Sequence, residues 1–316
     1  MPSPRIAVVG SVNMDLTFRT ARLPGPGETL TGQGFRLSHG GKGANQAVMA
    51  ARFVAAVTLV AKVGGDVFGD GMMRQLQQEG IDTTHVLVDA GQASGVAGIV
   101  VDDAAQNCII VVPGANHALT PQEVQHATAA LQAAAVLLCQ LEVPLETTHE
   151  ALKVARAAGV TTVLNPAPAQ SLPDDLLSLA DLCIPNETEL ALLTGRPVTT
   201  VAEIEAAAWE LRRRGPATVI VTLGNRGVLL VHDQGTEHLP AFAVDAVDTT
   251  GAGDAFIGAL AVLLAEGFPL REAARQASAA AALSVTRPGA QPSFPTRDEV
   301  VAFLATSVLR APAALG

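Results

Sequence analysis

The sequence predicts an α/β protein: a three-layer α/β/α sandwich with a mainly parallel central sheet, plus a small β-sheet lid. Three observations carry this. Short β-branched runs alternate with Ala- and Leu-rich helical stretches, the pattern of βα units joined in one sheet. Glycine-rich turns open two of the helical stretches. Two segments, within residues 12–38 and 94–112, break the alternation with period-2 apolar residues and read as antiparallel strands over the edge of the core.

In chain order, residues 6–9, 57–60, 136–138, 160–164, 182–184 and 218–222 are the buried strands. Between them, residues 44–53, 68–79, 146–158, 201–213 and 270–283 carry helical patterning. Residues 255–265 are apolar all round and read as a buried helix. Arg212-Arg213-Arg214 closes a helix, where cations complement the dipole.

With 316 residues the chain suffices for one large domain, expected over 1–310, with the Ala/Pro-rich 311–316 as a flexible tail. The apolar fraction is 49% and the mean hydropathy +0.34, yet no apolar run approaches the ~18 residues of a membrane span. The N-terminus runs into a strand without the order of a secretion signal, so a cytoplasmic location is expected. A net charge of −10 argues against nucleic acid or an anionic membrane as partner. Cys108, Cys139 and Cys183 are far apart in apolar stretches and are expected to be reduced core residues rather than metal ligands.

The most informative stretch is Asp248-Thr249-Thr250-Gly251-Ala252-Gly253-Asp254. Its glycines let backbone N–H groups converge at a helix start, which makes an anion cradle. Asp254 falls in the first turn, where the charge of a phosphate would collect. It is either a base for an incoming hydroxyl or an ordinary residue complementing the dipole.

Gly40-Gly41-Lys42-Gly43-Ala44-Asn45-Gln46 is a second glycine turn entering a helix. No Ser or Thr follows its lysine, so it is not a Walker loop, and Val9-Gly10-Ser11-Val12-Asn13 is not a dinucleotide fingerprint. Asn13 and Asp15, two apart on an extended chain, face one way, and Lys42 and Asn45 enter the same crevice beyond the strand ends. Amide, carboxylate and ammonium together suit a sugar, while turn bonds to backbone explain Asn13 or Asp15 alone equally well. Glu142, in Leu141-Glu142-Val143-Pro144, ends another strand and is placed to receive a sugar hydroxyl. Asn186-Glu187-Thr188-Glu189 reads as an N-cap with its capping-box partner, and Glu189 also stands where a carboxylate reaches nucleotide phosphates through Mg²⁺. Thr222-Leu223-Gly224-Asn225-Arg226-Gly227 is a hairpin turn or a backbone surface for a nucleotide, and 286–293 is a loop dense in carbonyls.

These motifs, with Pro113-Gly114-Ala115-Asn116, stand in the order and context of the ribokinase-like (PfkB) family of sugar and nucleoside kinases, which the chain resembles from residue 6 to about 303. The resemblance implies the ribokinase-like fold and transfer of the ATP γ-phosphate to the 5-hydroxyl of D-ribose. It makes Asp254 the general base and Gly251, Ala252 and Gly253 the anion hole. It assigns Asn13, Met14, Asp15, Gly41, Lys42, Gly43, Ala44, Asn45 and Glu142 to the sugar. Asn186, Glu189, Thr222, Leu223, Gly224, Asn225, Arg226, Gly227, Gly253 and Ser278 fall on the nucleotide side, with Glu189 tied to Mg²⁺. Ser278 stands where many relatives carry Asn near the adenine, which puts base preference in question.

Asp248, Thr250, Ser284, Arg287, Gly289 and Ser293 fall where the family holds K⁺, and the lid is expected to pair with its twin in a homodimer. Deoxyribose, a ketohexose or a nucleoside stay open as acceptors. A non-catalytic sugar-binding protein and a C-glycosidase are further readings, against which the intact Gly-Ala-Gly-Asp turn speaks.

Overall fold

The computed structural model describes residues 3–104 and 106–307; the expected tail, 311–316, lies outside them. The first strands are β1 (Arg5–Val9), β2 (Asn13–Arg19), β3 (Gly34–Gly40), β4 (Ala56–Gly64), β5 (Asp82–Asp89), β6 (Gly95–Val101) and β7 (Asn107–Val112). They are followed by β8 (Val136–Cys139), β9 (Thr161–Leu164), β10 (Leu182–Cys183), β11 (Thr218–Thr222), β12 (Val228–His232) and β13 (Gly235–Leu239). The helices begin with α1 (Lys42–Arg52), α2 (Val67–Gln78), α3 (Pro121–His126), α4 (Thr128–Gln132), α5 (Leu145–Ala157) and α6 (Asp174–Leu177). They end with α7 (Glu187–Thr194), α8 (Val201–Arg213), α9 (Ala252–Ala265), α10 (Leu270–Ser284) and α11 (Arg297–Thr306).

The large sheet runs β13-β12-β11-β10-β9-β8-β1-β4-β5. β11, β12 and β13 pair antiparallel and the others parallel. Side chains alternate across it with a period of two. Ile6 and Val8 enter a core shared with α1, α9 and α10, while Ala7 and Val9 enter another shared with α5 and α8. β1 has β4 on one side and β8 on the other, so the chain order reverses there and a crevice opens beyond the strand ends. None of the described helices is long and apolar enough to cross a membrane.

The second, smaller sheet, β3-β2-β6-β7, stands where the lid is expected. The antiparallel expectation holds for β2–β3 and β6–β7, but β2 and β6 run parallel. The reason is that β1 and β5 lie in the same direction in the large sheet, so the strands that follow them leave from the same end. Three strands escaped the sequence reading: β5, β12 and β13. β5 and β13 are edge strands with several polar residues, GTEHL in the case of β13, and carry little alternation. Cys139 and Cys183 are buried thiols as expected, but Cys108 lies exposed on β7, where the apolar run builds a lid face rather than a core.

Candidate active site

Three glycines let the start of α1 press onto the turn between β1 and β2. Gly41 has φ +87°, and a Cβ there would lie 2.7 Å from Asn13 N. One at Gly43 would lie 2.6 Å from Ser11 N, and one at Gly10 2.9 Å from Gly43 Cα. The Ala44 N–H donates to the Ser11 carbonyl at 2.9 Å, and the Ala44 side chain sits in the core. Gly43 and Ala44 therefore shape the crevice by close packing. Glu142 accepts from the Lys42 N–H at 2.9 Å and from the Ser11 hydroxyl, both on Oε2, and so caps α1 with a negative charge at its positive end.

β2 supplies the lid side of the crevice. The Asp15 carboxylate lies over Gly40, where a Cβ would come within 2.4 Å of Oδ2. Asn13 Oδ1 accepts from Asn116 Nδ2 at 2.7 Å, which leaves the NH₂ end of Asn13 for a ligand. Asn116 also brackets Val12, accepting from its N–H at 2.9 Å and donating to its carbonyl at 3.1 Å. Met14 corrects the sequence reading: strand alternation turns it into the hydrophobic core, away from Asn13 and Asp15.

The charges here perturb one another. Burial, then the negative charges of Glu142 and Asp254, push Asp15 up to about 7 against the pull of Arg36. Burial works against the Lys42 ammonium, but Asp254, Glu142 and Glu189 outweigh it and raise its pKa. Burial raises Glu189 as well, opposed by its bond from the Asn186 N–H and by Lys42.

α9 brings up Asp254. Gly258 makes this possible, because a Cβ there would lie 2.7 Å from both Gln46 O and Met49 Cβ, so α9 and α1 touch along their backbones. Asp254 is 7% exposed and accepts from Asn45 Nδ2 at 2.9 Å on Oδ2 and from Gln46 Nε2 at 3.0 Å on Oδ1. Burial raises its pKa, partly offset by Lys42 and by those two amides. Gly251 turns into the helix at φ +76°, and a Cβ there would meet Ala290 Cβ at 2.9 Å. The Ala252 N–H is spent on the Thr249 carbonyl at 3.2 Å, whereas those of Gly253 and Asp254 have no acceptor inside the helix.

Behind Gly253 opens a cavity of ≈ 500 Å³. Asn186, Thr222, Gly224, Asn225, Gly227, Ala252, Gly253 and Ser278 line it together with apolar Phe242, Phe256 and Val285. Three expected members, Glu189, Leu223 and Arg226, do not line it. Leu223 is in the core, because its side chain continues the inward alternation of β11, and the Arg226 guanidinium pairs with Glu187. Both Glu189 oxygens meet Asn186, at 2.8 Å on its N–H and 2.9 Å on Nδ2, so the capping box is fully formed.

The expected cation residues lie on the turn before α9 and on the stretch from the end of α10 to the 3₁₀ turn Gln291–Ser293, and hydrogen bonds stitch the two together. Asp248 accepts from Thr250 N at 2.9 Å and from Gly289 N at 2.8 Å, bonds that hold its carboxyl below the ordinary range despite burial. The Ser284 and Ser293 hydroxyls donate to nearby carbonyls, and the Arg287 guanidinium pairs with Glu299, so only its backbone oxygen is left for a cation. Sequence reasoning missed Gln46, Gln140, Asn165, Asn116 and Gln291. Gln140 and Asn165 directly follow β8 and β9, and a polar residue at a parallel strand's C-terminal end was the signal available.

A buried carboxylate in the first turn of a glycine-opened helix, with a polar crevice on one side and an apolar cavity on the other, is the layout of a phosphotransferase. The chain matches the pfkB family carbohydrate kinases over residues 3–297 and belongs to that family; it is a kinase. It is 43% identical over 299 residues to the ribokinase of Haemophilus influenzae, covering 95% of this chain and 98% of that one. It is 42% identical over 300 residues to the deoxyribokinase of Salmonella typhi, with the same coverage of 95% and 98%. A solved ribokinase of Arabidopsis thaliana complexed with ribose and ATP has a TM-score of 0.89 and 34% identity, covering 96% of this chain and 99% of that one.

Proposed function

We propose that this kinase transfers the γ-phosphoryl group of ATP to O5 of D-ribose, giving D-ribose 5-phosphate and ADP. The observation that carries it is the position of Asp254, between the crevice of Asp15, Lys42 and Glu142 and the cavity behind Gly253. The Haemophilus relative and the Arabidopsis complex support ribose and ATP as the substrates.

In this reading Asn13, Asp15, Gly41, Lys42, Asn45 and Glu142 hold the sugar. Asp254 takes the proton of the attacking hydroxyl, and the expected anion hole at Gly251, Ala252 and Gly253 offers the free Gly253 N–H where charge develops, worth roughly 3–4 kcal/mol if like other oxyanion donors. The base lies in the cavity near Ser278, with Asn186, Thr222, Gly224, Asn225 and Gly227 along the nucleotide.

Among the described residues no group of three His, Cys, Asp or Glu side chains could hold a metal alone. That suits Mg²⁺, which takes most of its ligands from phosphate and water and here would join near Glu189 and shield the phosphate charge. The oxygen donors of Asp248, Thr250, Ser284, Arg287, Gly289 and Ser293 suit a hard monovalent cation such as K⁺, which would supply fixed positive charge behind the anion hole. The exposed apolar lid residues, Phe35 and Ile110 among them, support a homodimer through the lid.

ADP release with Mg-ATP and K⁺, over ribose, 2-deoxyribose, fructose, adenosine and no sugar, tests the reading. Ribose-dependent release giving the 5-phosphate is expected, and no release with any acceptor overturns it. The deoxyribokinase relative makes 2-deoxyribose the second reading, and preference for it would keep the mechanism and reassign the pocket.

A further inference from the structure

Asp254 is the centre of a buried chain of side-chain amides that all point the same way. An ionised carboxylate only accepts hydrogen bonds, so Asn45 and Gln46 must turn their NH₂ ends to it and their carbonyl ends outward. Each outward carbonyl is buried and needs a donor of its own. Gln291 Nε2 supplies one, 3.0 Å from Asn45 Oδ1, and Gln140 Nε2 the other, 2.6 Å from Gln46 Oε1. Gln46 Nε2 also meets Asn165 Oδ1 at 3.2 Å, and Asn165 in turn donates to the Ile184 carbonyl at 3.1 Å.

The two ends of the chain are Gln140 Oε1 and Gln291 Oε1, buried oxygens with no hydrogen-bond partner among the described residues. Leaving a buried carbonyl unpaired is costly. Turning either glutamine round would pair that oxygen against another acceptor, and the reversal would pass inward until a carbonyl faced Asp254. The unpaired outer oxygens are therefore the less costly arrangement.

We propose that Gln140 and Gln291 are positioning residues for phosphoryl transfer: acting through Gln46 and Asn45, they lock two amide N–H ends onto Asp254 and hold it as an oriented, ionised acceptor. They come from opposite sides, Gln140 from the end of β8 and Gln291 from the 3₁₀ turn Gln291–Ser293. Neither touches the reacting groups. The charges facing Asp254 from other elements are Lys42 of α1, Glu142 after β8, Glu189 of α7 and Asp15 of β2, and substitution of the glutamines leaves all four in place.

The inference rests on the kinase reading, so its test has one arm that needs no turnover. Gln291→Met and Gln140→Met keep the volume and remove the donor; Gln291→Glu places a second acceptor against Asn45. In each, the acidic limb of the kcat/KM profile moves up by about one pH unit, a tenfold gain in proton affinity at the base, and KM for Mg-ATP stays within about twofold. Carbon-13 NMR titration of the Asp254 carboxyl, assigned by its loss in Asp254→Asn, shows the same displacement whether or not any sugar is phosphorylated. Unmoved limbs and an unmoved titration in both methionine variants, with wild-type unfolding midpoints, overturn the proposal. If the wild type releases no ADP with any sugar, the kinase reading has failed and the NMR arm alone decides the relay. Should Gln291→Glu not fold, the methionine variants decide.

Discussion

Asn45 Nδ2 lies 2.9 Å from Oδ2 of Asp254, joining α1 to α9 at the point where the two helices pack backbone to backbone. The glycine turn that opens α1 and the glycine turn that opens α9 thus deliver one amide and one carboxylate to a single hydrogen bond. Held in this way, the carboxylate proposed as the general base is oriented before substrate arrives, the condition for efficient proton transfer.

Asp254→Asn keeps the shape and removes the base. Turnover is expected to fall roughly 10²–10⁴-fold, with sugar binding by calorimetry nearly unchanged. Turnover within about tenfold of wild type removes Asp254 from that role.

Asp15 gives a stability prediction. Folding raises its pKa from 3.8 to about 7, with burial as the first cause. The native state therefore holds a proton that the unfolded chain gives up, so this contribution to stability is complete below about pH 4 and is lost as pH rises through 7. Asp15→Asn should raise the unfolding midpoint of the sugar-free protein at pH 8 by at least about 2 °C relative to its effect at pH 4. Equal midpoint changes at the two pH values would contradict the buried, proton-holding carboxylate.

Gly40→Ala puts a methyl group 2.4 Å from Asp15 Oδ2, so the carboxylate must move. KM for the sugar is expected to rise about tenfold or more, as expected for a lost charged hydrogen bond, while KM for ATP holds. Parallel rises in both would place the damage in the fold instead of the crevice.

The lid carries the fourth prediction. Phe18 and Phe35 meet across β2 and β3 with ring centroids 5.0 Å apart and planes tilted by 39°, and Phe35 is 58% exposed. If the proposed lid dimer forms, the wild type should sediment as a dimer and Phe35→Lys as a monomer. A monomeric wild type removes the dimer, and a dimeric Phe35→Lys moves the interface elsewhere.

Much of this was legible in the chain. β1, β4, β8, β9, β10 and β11 of the large sheet are buried apolar runs, and α9 is apolar on every side, so pattern alone located them. Asn13, Asp15, Lys42, Glu142 and Asp254 stood out in the chain because each stands beside a glycine turn or a strand end, and the charged ones among them face one another in the fold. The amides behind them were not. Gln140 and Gln291 act on groups 94 and 246 positions away in sequence, and no local spacing records such a meeting. Met14 and Leu223 were assigned to the site by their neighbours in sequence, and the alternation of β2 and of β11 sent them inward instead.

β2 pairs with β3 at every position from Asn13↔Gly40 to Arg19↔Gly34 without a bulge, and with β6 from Asn13↔Gly95 to Arg19↔Val101. Slipping either ladder by one residue would exchange Asp15 for Met14 or Leu16 on the crevice face. Over evolutionary time, insertions and deletions should therefore gather in the connection 20–33 and be purged from 13–19 and 34–40, where a single codon gained or lost would change what the enzyme grips.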